Sequence, residues 1–276
     1  MELTLPIAAA VLGAALLHAA WNTLVKASED KELDTYAVAA GSGVLALIAI
    51  PFLAAPAPAS WPWLVGSAAV HILYFVFLAG AYRYGELSYV YPIMRGGGPM
   101  IVAASGAAVF AETLSGGQWL GVLLVCGGIV AFASGAHDRR ATLFALANAA
   151  VIGAYTLIDA QGVRASAAPA SYTLWFFAAN ALVIIAMGWA RRGSAVTRYL
   201  GRRWRRTLLG GACAVGSYAI ALWAMTRAPV ALVAVLRETS VIFGAILAAL
   251  VLKEKLTRRR LFATGAVLAG LILLRL

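Results

Sequence analysis

The sequence predicts an all-α membrane protein: ten transmembrane helices, arranged as two inverted five-helix repeats around a central cavity. Composition, the spacing of apolar runs and an internal repeat carry that expectation. Hydrophobic residues make up 63% of the 276 residues and charged residues 12%, with a mean hydropathy of +0.87. A soluble fold sets its outside against water and cannot hide that much apolar surface. A disordered tail, a disulfide scaffold and a nucleic-acid module are excluded on the same ground. The formal charge is +11, but most cations stand between apolar runs, where they read as topology signals and lipid headgroup contacts.

A hydrocarbon core of about 30 Å takes roughly 20 apolar residues as helix. Ten stretches meet that length: about 4–26, 34–54, 62–83, 87–110, 116–135, 141–160, 170–190, 206–226, 229–251 and 258–275. The first has only Glu2 ahead of it and an apolar run too long for a removable signal peptide; it carries His18, Trp21 and Asn22. The third opens on Trp61 and Trp63, read as interface anchors, and sets His71, Tyr74, Phe75 and Leu78 on one stripe. The fourth holds three glycines between two prolines, Pro92-Ile-Met94-Arg95-Gly96-Gly97-Gly98-Pro99, with Tyr91, Met94, Arg95 and Gly98 on one face by helical spacing. That weakened stretch is either a bend at a cavity or a site of tight helix packing.

Ser115 and Gln118 predict a capping box opening the fifth helix, with Glu112 steadying the turn through a helix N-terminus; Glu254 and Thr257 repeat the arrangement later. Gly121, Leu124 and Gly128 form a small-residue stripe that Ala263, Ala266 and Gly270 repeat on the tenth helix. These two helices either pack together or each face another subunit. The sixth helix carries Asn148, Tyr155 and, near its end, Asp159; the eighth carries Ser217 and Tyr218; the ninth carries Arg237 and Glu238. Cys126 and Cys213 lie in apolar runs as small hydrophobes, without disulfide or metal spacing.

Seventeen of the 22 Lys and Arg residues fall in odd-numbered connections and three in even ones or at the C-terminus, with Arg95 and Arg237 inside spans. The bias places odd connections in the cytoplasm and both termini outside. The longest connection, from Arg191 to about Arg205, leads into a basic aromatic stretch, Arg198 to Arg206 with Tyr199 and Trp204. It is expected to lie on anionic lipid.

Arg95 aligns with Arg237 and Glu112 with Glu254 at one offset, and Thr23-Leu-Val-Lys-Ala27 is like Thr156-Leu-Ile-Asp-Ala160 at a slightly shorter one. The chain thus divides into repeats at 1–136 and 137–276. Five helices is an odd number, so the second copy enters the membrane from the opposite side. Two inverted halves that can exchange roles are a transporter arrangement.

With Trp21-Asn22-Thr-Leu-Val-Lys26, Ala111-Glu112-Thr-Leu-Ser115 and Lys253-Glu254-Lys-Leu-Thr257, the chain resembles the ten-helix, EamA-like branch of the drug/metabolite transporter superfamily over nearly its whole length. The resemblance implies ten helices around a central cavity, residence in a bacterial inner membrane and export of small metabolites, with several relatives resembling amino-acid exporters. One position departs from internal symmetry: Asp159 stands where the first repeat has Lys26.

Charges at the depth of Arg95, Arg237 and Glu238 must face a cavity or a partner. The arginines either hold a substrate carboxylate or knit the halves. Glu238 either binds an ammonium group or proton, or pairs with Arg95. The candidate substrate-binding set is Trp21, Asn22, His71, Tyr74, Tyr91, Met94, Arg95, Tyr155, Ser217, Arg237 and Glu238: aromatic walls with a few polar groups, as an amphipathic metabolite requires. The expected function is secondary export of neutral or aromatic amino acids by alternating access. The alternatives are a passive channel or an integral-membrane enzyme, for which His18, His71 and His137 are too scattered. No cofactor, metal or nucleic-acid partner is expected, only a small-molecule substrate and membrane lipid.

Overall fold

The computed structural model describes residues 1–135, 138–251 and 258–274. Among these the chain is all α-helical, without strands. The helices are α1 (Leu5–Lys26), α2 (Lys31–Ala49), α3 (Trp61–Tyr84), α4 (Leu87–Phe110), α5 (Gly116–Val130), α6 (Arg139–Ala165), α7 (Pro169–Arg192), α8 (Ser194–Arg202), α9 (Trp204–Met225), α10 (Val230–Arg237), α11 (Ser240–Val251) and α12 (Arg258–Leu273). Eight stretches of the described residues are long and apolar enough to cross a membrane, and Gly116–Val130 and Phe262–Leu273 are shorter apolar helices. Large side chains such as Leu47, Phe52, Val65, Leu182, Leu250 and Phe262 point outward, as lipid-facing positions do. The chain is an integral membrane protein. Glu254 and Thr257, and His137, fall outside the described residues.

Helix starts follow local chemistry. Asp30 accepts from the Leu33 N–H at 3.0 Å and Asp138 from that of Ala141 at 2.9 Å, so each carboxylate caps a first turn. The predicted capping box is present: Ser115 and Gln118 satisfy each other's backbone N–H groups at α5. Pro6, Pro62 and Pro169 stand in first turns, where a missing N–H costs nothing.

Two local expectations are resolved by packing. The Gly/Pro-rich stretch remains inside one continuous helix, α4. Its glycines are close-packing points: a Cβ on Gly96 would meet the Cys126 carbonyl on α5, and one on Gly97 or Gly98 would meet Ala149 or Ile152 on α6. Pro92 frees the Ser88 carbonyl, which accepts from the Ser134 N–H at 3.0 Å. The break occurs instead in the ninth predicted span, between α10 and α11. There Glu238 and Thr239 bond three residues back, to Val235 and Leu236, and the Thr239 hydroxyl takes the Leu236 carbonyl at 2.8 Å.

The long connection before α9 contains α8, whose Val196 is buried beside Leu33 and Tyr36 of α2. Its cations at Arg198, Arg202 and Arg203, with Trp204 and Arg205 beyond, are exposed.

Helix pairing is orderly: α3 lies along α6 and α1 along α9; α4 packs on α6 and α1 on α11; α2 meets α7 and α5 meets α12. The α5–α12 seam answers one open choice. Gly121 and Gly270 face each other so closely that a Cβ on either would stand 2.8 Å from the other's carbonyl oxygen, and Gly128 nestles against Ala263 and Val267. Cys126 is buried beside this seam, whereas Cys213 is partly exposed.

Candidate functional site

Arg95, Arg237 and Glu238, the charges expected at depth, gather in one place. Arg95 of α4 and Glu238, at the α10–α11 break, form an ion pair with Nε to Oε2 at 2.8 Å, both side chains nearly inaccessible. A second guanidinium nitrogen of Arg95 donates to the Ser240 hydroxyl at 3.4 Å. The interrupted helix thus presents a carboxylate and a hydroxyl to a cation 143 positions earlier in sequence. Arg237 turns elsewhere: its guanidinium lies over the Tyr218 ring, 5.3 Å from the centroid.

From Tyr218 the belt continues to Asp159 on α6, which is fully buried. The Tyr218 hydroxyl donates to Asp159 Oδ2, and the Tyr172 hydroxyl of α7 donates to Oδ1 at 3.3 Å. Tyr172 crosses against Gly162, where any Cβ would collide with its hydroxyl. On α3, His71 Nδ1 is 2.9 Å from the Ser67 carbonyl, which makes Nδ1 the protonated nitrogen. The His71 ring packs on Tyr155 at 4.3 Å and Phe176 at 4.9 Å, and Tyr74 stands 6.2 Å from Tyr155.

Of the predicted residues, His71, Tyr74, Tyr91, Arg95, Tyr155, Arg237 and Glu238 lie in or against this belt, with Tyr91 in electrostatic reach of Arg95 and Glu238. Trp21 joins through His18, on which its ring sits edge-on at 5.1 Å; His18 in turn feels Arg95 and Arg237. Met94 receives the Asn148 amide at 2.9 Å, while the Asn148 carbonyl oxygen is buried without a partner, an acceptor left open beside the belt. Asn22 bonds back to the His18 carbonyl of its own helix. Ser217 is buried, but its neighbour Tyr218 makes the contacts. The sequence reading passed over Tyr172 and Phe176, and gave Asp159 no role. The one available signal was the Lys26/Asp159 mismatch between repeats, which marks an acidic residue that symmetry does not require.

Glu112 performs a structural task, though at a different helix from the one expected. Its carboxylate binds Arg164 of α6 at 2.6 Å and accepts the Val230 N–H at 2.8 Å, so it anchors the N-terminus of α10. The capping box already serves α5, which leaves Glu112 free for this. Trp61, expected at the interface, packs edge-on against Trp175 at 5.1 Å.

An open apolar groove of about 500 Å³, lined by Ala10, Pro169, Ala170, Ala219, Ile220 and Trp223, has no polar side chain. The buried ionisable groups Arg95, Glu238, Arg237 and Asp159 lie in the belt and not in this groove.

The sequence profile of the EamA-like transporter family matches residues 139–276. The chain belongs to the EamA-like transporter family. It is therefore a membrane transporter of small molecules by family. A solved structure described as "Crystal structure of protein" shares the EamA-like chain's fold: TM-score 0.73 over 97% of this chain and 94% of that one, at 16% identity. No curated protein sequence matches it.

Proposed function

We propose that this protein is a secondary transporter that exports small organic metabolites, neutral or aromatic amino acids, by alternating access. The observation that carries the reading is the buried belt, in which Arg95 from the first half meets Glu238 from the second amid His71, Tyr74, Tyr155 and Tyr218. A charged pair surrounded by rings suits a zwitterion with an apolar side chain. In this reading the ten passes are α1 to α7, α9, the α10–α11 pair and α12, and the inverted repeats are 1–136 and 137–276.

The helix pairing supports two-fold exchange. Swapping the halves carries α3–α6 onto α9–α1 and α4–α6 onto α11–α1, and leaves α2–α7 and α5–α12 in place. The family profile begins at residue 139, near the start of the second repeat. One pairing is unequal: α2 lies along α9 with backbones touching, while its counterpart, α3 against α7, is much the looser. Such inequality is what a carrier closed on one side would show. The cation bias favours the α8 end as cytoplasmic and both termini as external, in a bacterial inner membrane.

Purified protein in liposomes, offered labelled L-phenylalanine, L-threonine and L-leucine, tests the reading. Saturable exchange of at least one is the expected result; no exchange of any amino acid removes the substrate assignment. A unit conductance in planar bilayers would replace the carrier with a channel.

A further inference from the structure

We propose that Asp159 is an exchangeable proton site, through which the carrier couples solute exit to proton entry; the coupling, though not the site, rests on the function proposed above. The buried and half-buried carboxylates of the described residues fall into two kinds. Glu238 is paired with Arg95, Glu112 with Arg164 and Asp34 with Arg206, all within salt-bridge distance. Asp159 is fully buried, yet no described cation stands within that distance. A carboxylate in such a place keeps its charge only against a large desolvation penalty, which the neutral acid does not bear.

The surroundings suit both forms. Tyr172 and Tyr218 donate to the ionised carboxylate; when Asp159 takes a proton on either oxygen, that O–H donates to the tyrosine oxygen facing it. Hydroxyl groups can turn in this way, while an arginine partner could not. The other ionisable groups facing Asp159 are His71, which belongs to α3, and Arg237, which bears on it through the Tyr218 ring; Tyr155 stands one turn back on α6. Ser67 adds a hydroxyl from α3. The site is built as a unit, because only glycine at 162 admits the Tyr172 hydroxyl.

Asp159 lies six residues from the end of α6, about 9 Å along the axis. It also joins α6 to α3, α7 and α9, three of the four helices in the unequal pairing. Charging or neutralising this carboxylate therefore changes the attraction of Tyr172 and Tyr218 for α6, and with it how α7 and α9 hold that helix. In the step itself, one proton adds to an Asp159 oxygen from one side and leaves to the other; no other bond changes.

Infrared difference spectra of the full-length protein in liposomes, between alkaline and acidic buffer, are the first readout. The expected result is a carboxylic-acid carbonyl band that is lost in Asp159→Asn and displaced in Tyr218→Phe and in Tyr172→Phe, which remove one hydroxyl each and no charge. Spectra in which none of the three variants alters such a band overturn the proposal. The second readout is L-phenylalanine export with and without an inward proton gradient: wild type accelerates under the gradient, and Asp159→Asn loses that acceleration. Undiminished acceleration in Asp159→Asn also overturns it. If no amino acid moves, the substrate assignment fails by itself, and the infrared band still decides the proton site.

Discussion

Removing one member of the Arg95–Glu238 pair leaves a charge buried without a partner, the costly case for an ion pair in low dielectric. Arg95→Gln or Glu238→Gln is expected to destabilise the protein by about 3–5 kcal/mol. The double variant, which leaves no charge behind, should recover most of that loss. Thermal unfolding of the four proteins in one detergent measures it, and equal losses in single and double variants would refute the pairing as a stabilising unit. Asp30 gives a pH-dependent prediction. The Leu33 N–H, and after it Arg192, hold its carboxyl below the ordinary carboxylate value. A depressed folded value means that the contribution is complete above the unfolded value near about pH 4 and is lost as pH falls through the lowered one. Hydrogen exchange in the first turn of α2 should therefore quicken below that pH. Asp30→Asn, which keeps a capping oxygen, should abolish the acid dependence.

At the scale of elements, two seams depend on absent side chains. A Cβ on Gly211 would strike the backbone of Gly41 and Ser42, and one on Gly270 would stand 2.8 Å from the Gly121 carbonyl. Backbone cannot yield as a side chain can, so overpacking here costs about 1–3 kcal/mol. Gly270→Val is expected to lower the unfolding temperature by prising α12 from α5, whereas Gly265→Val, which has open space around it on the same helix, should have little effect. The comparison, read by thermal unfolding, separates a packing requirement from the general penalty of valine in a helix.

For the whole molecule, the tight α2–α9 contact is the natural closed gate of the proposed cycle. A Cβ on Gly210 would lie 3.8 Å from the Cβ of Val38, the spacing of a disulfide. With Cys126 and Cys213 replaced by Ala, Val38→Cys/Gly210→Cys should cross-link on oxidation. L-Phenylalanine exchange should then stop and return on reduction. Continued exchange by fully cross-linked protein would mean that α2 and α9 need not separate. The counterpart contact, α3 with α7, is made by rings, His71 on Phe176 and Trp61 on Trp175; rings can slide apart without exposing backbone groups, which glycine seams cannot.

The sequence by itself determined residence in lipid, the positions of eight spans and the placement of charges inside them. Bilayer thickness, hydropathy and the price of a buried charge act on each segment separately, so Leu5–Lys26 or Arg95 can be read without knowing a neighbour. The capping box at Ser115 was equally legible, since its two partners are three residues apart. Only the tertiary structure decided which partner each charge took: Arg95 went to Glu238, Arg237 to the face of Tyr218, and Glu112 to Arg164 and the start of α10. It also chose tight packing over a bend for the glycines of α4, which press against α5 and α6, and set a helix break at Glu238 and Thr239. It gave Asp159 two tyrosines in place of a cation. Those outcomes depend on contacts between residues from different helices, from 13 positions apart at Tyr172 and Asp159 to 143 at Arg95 and Glu238, and packing settles them all at once.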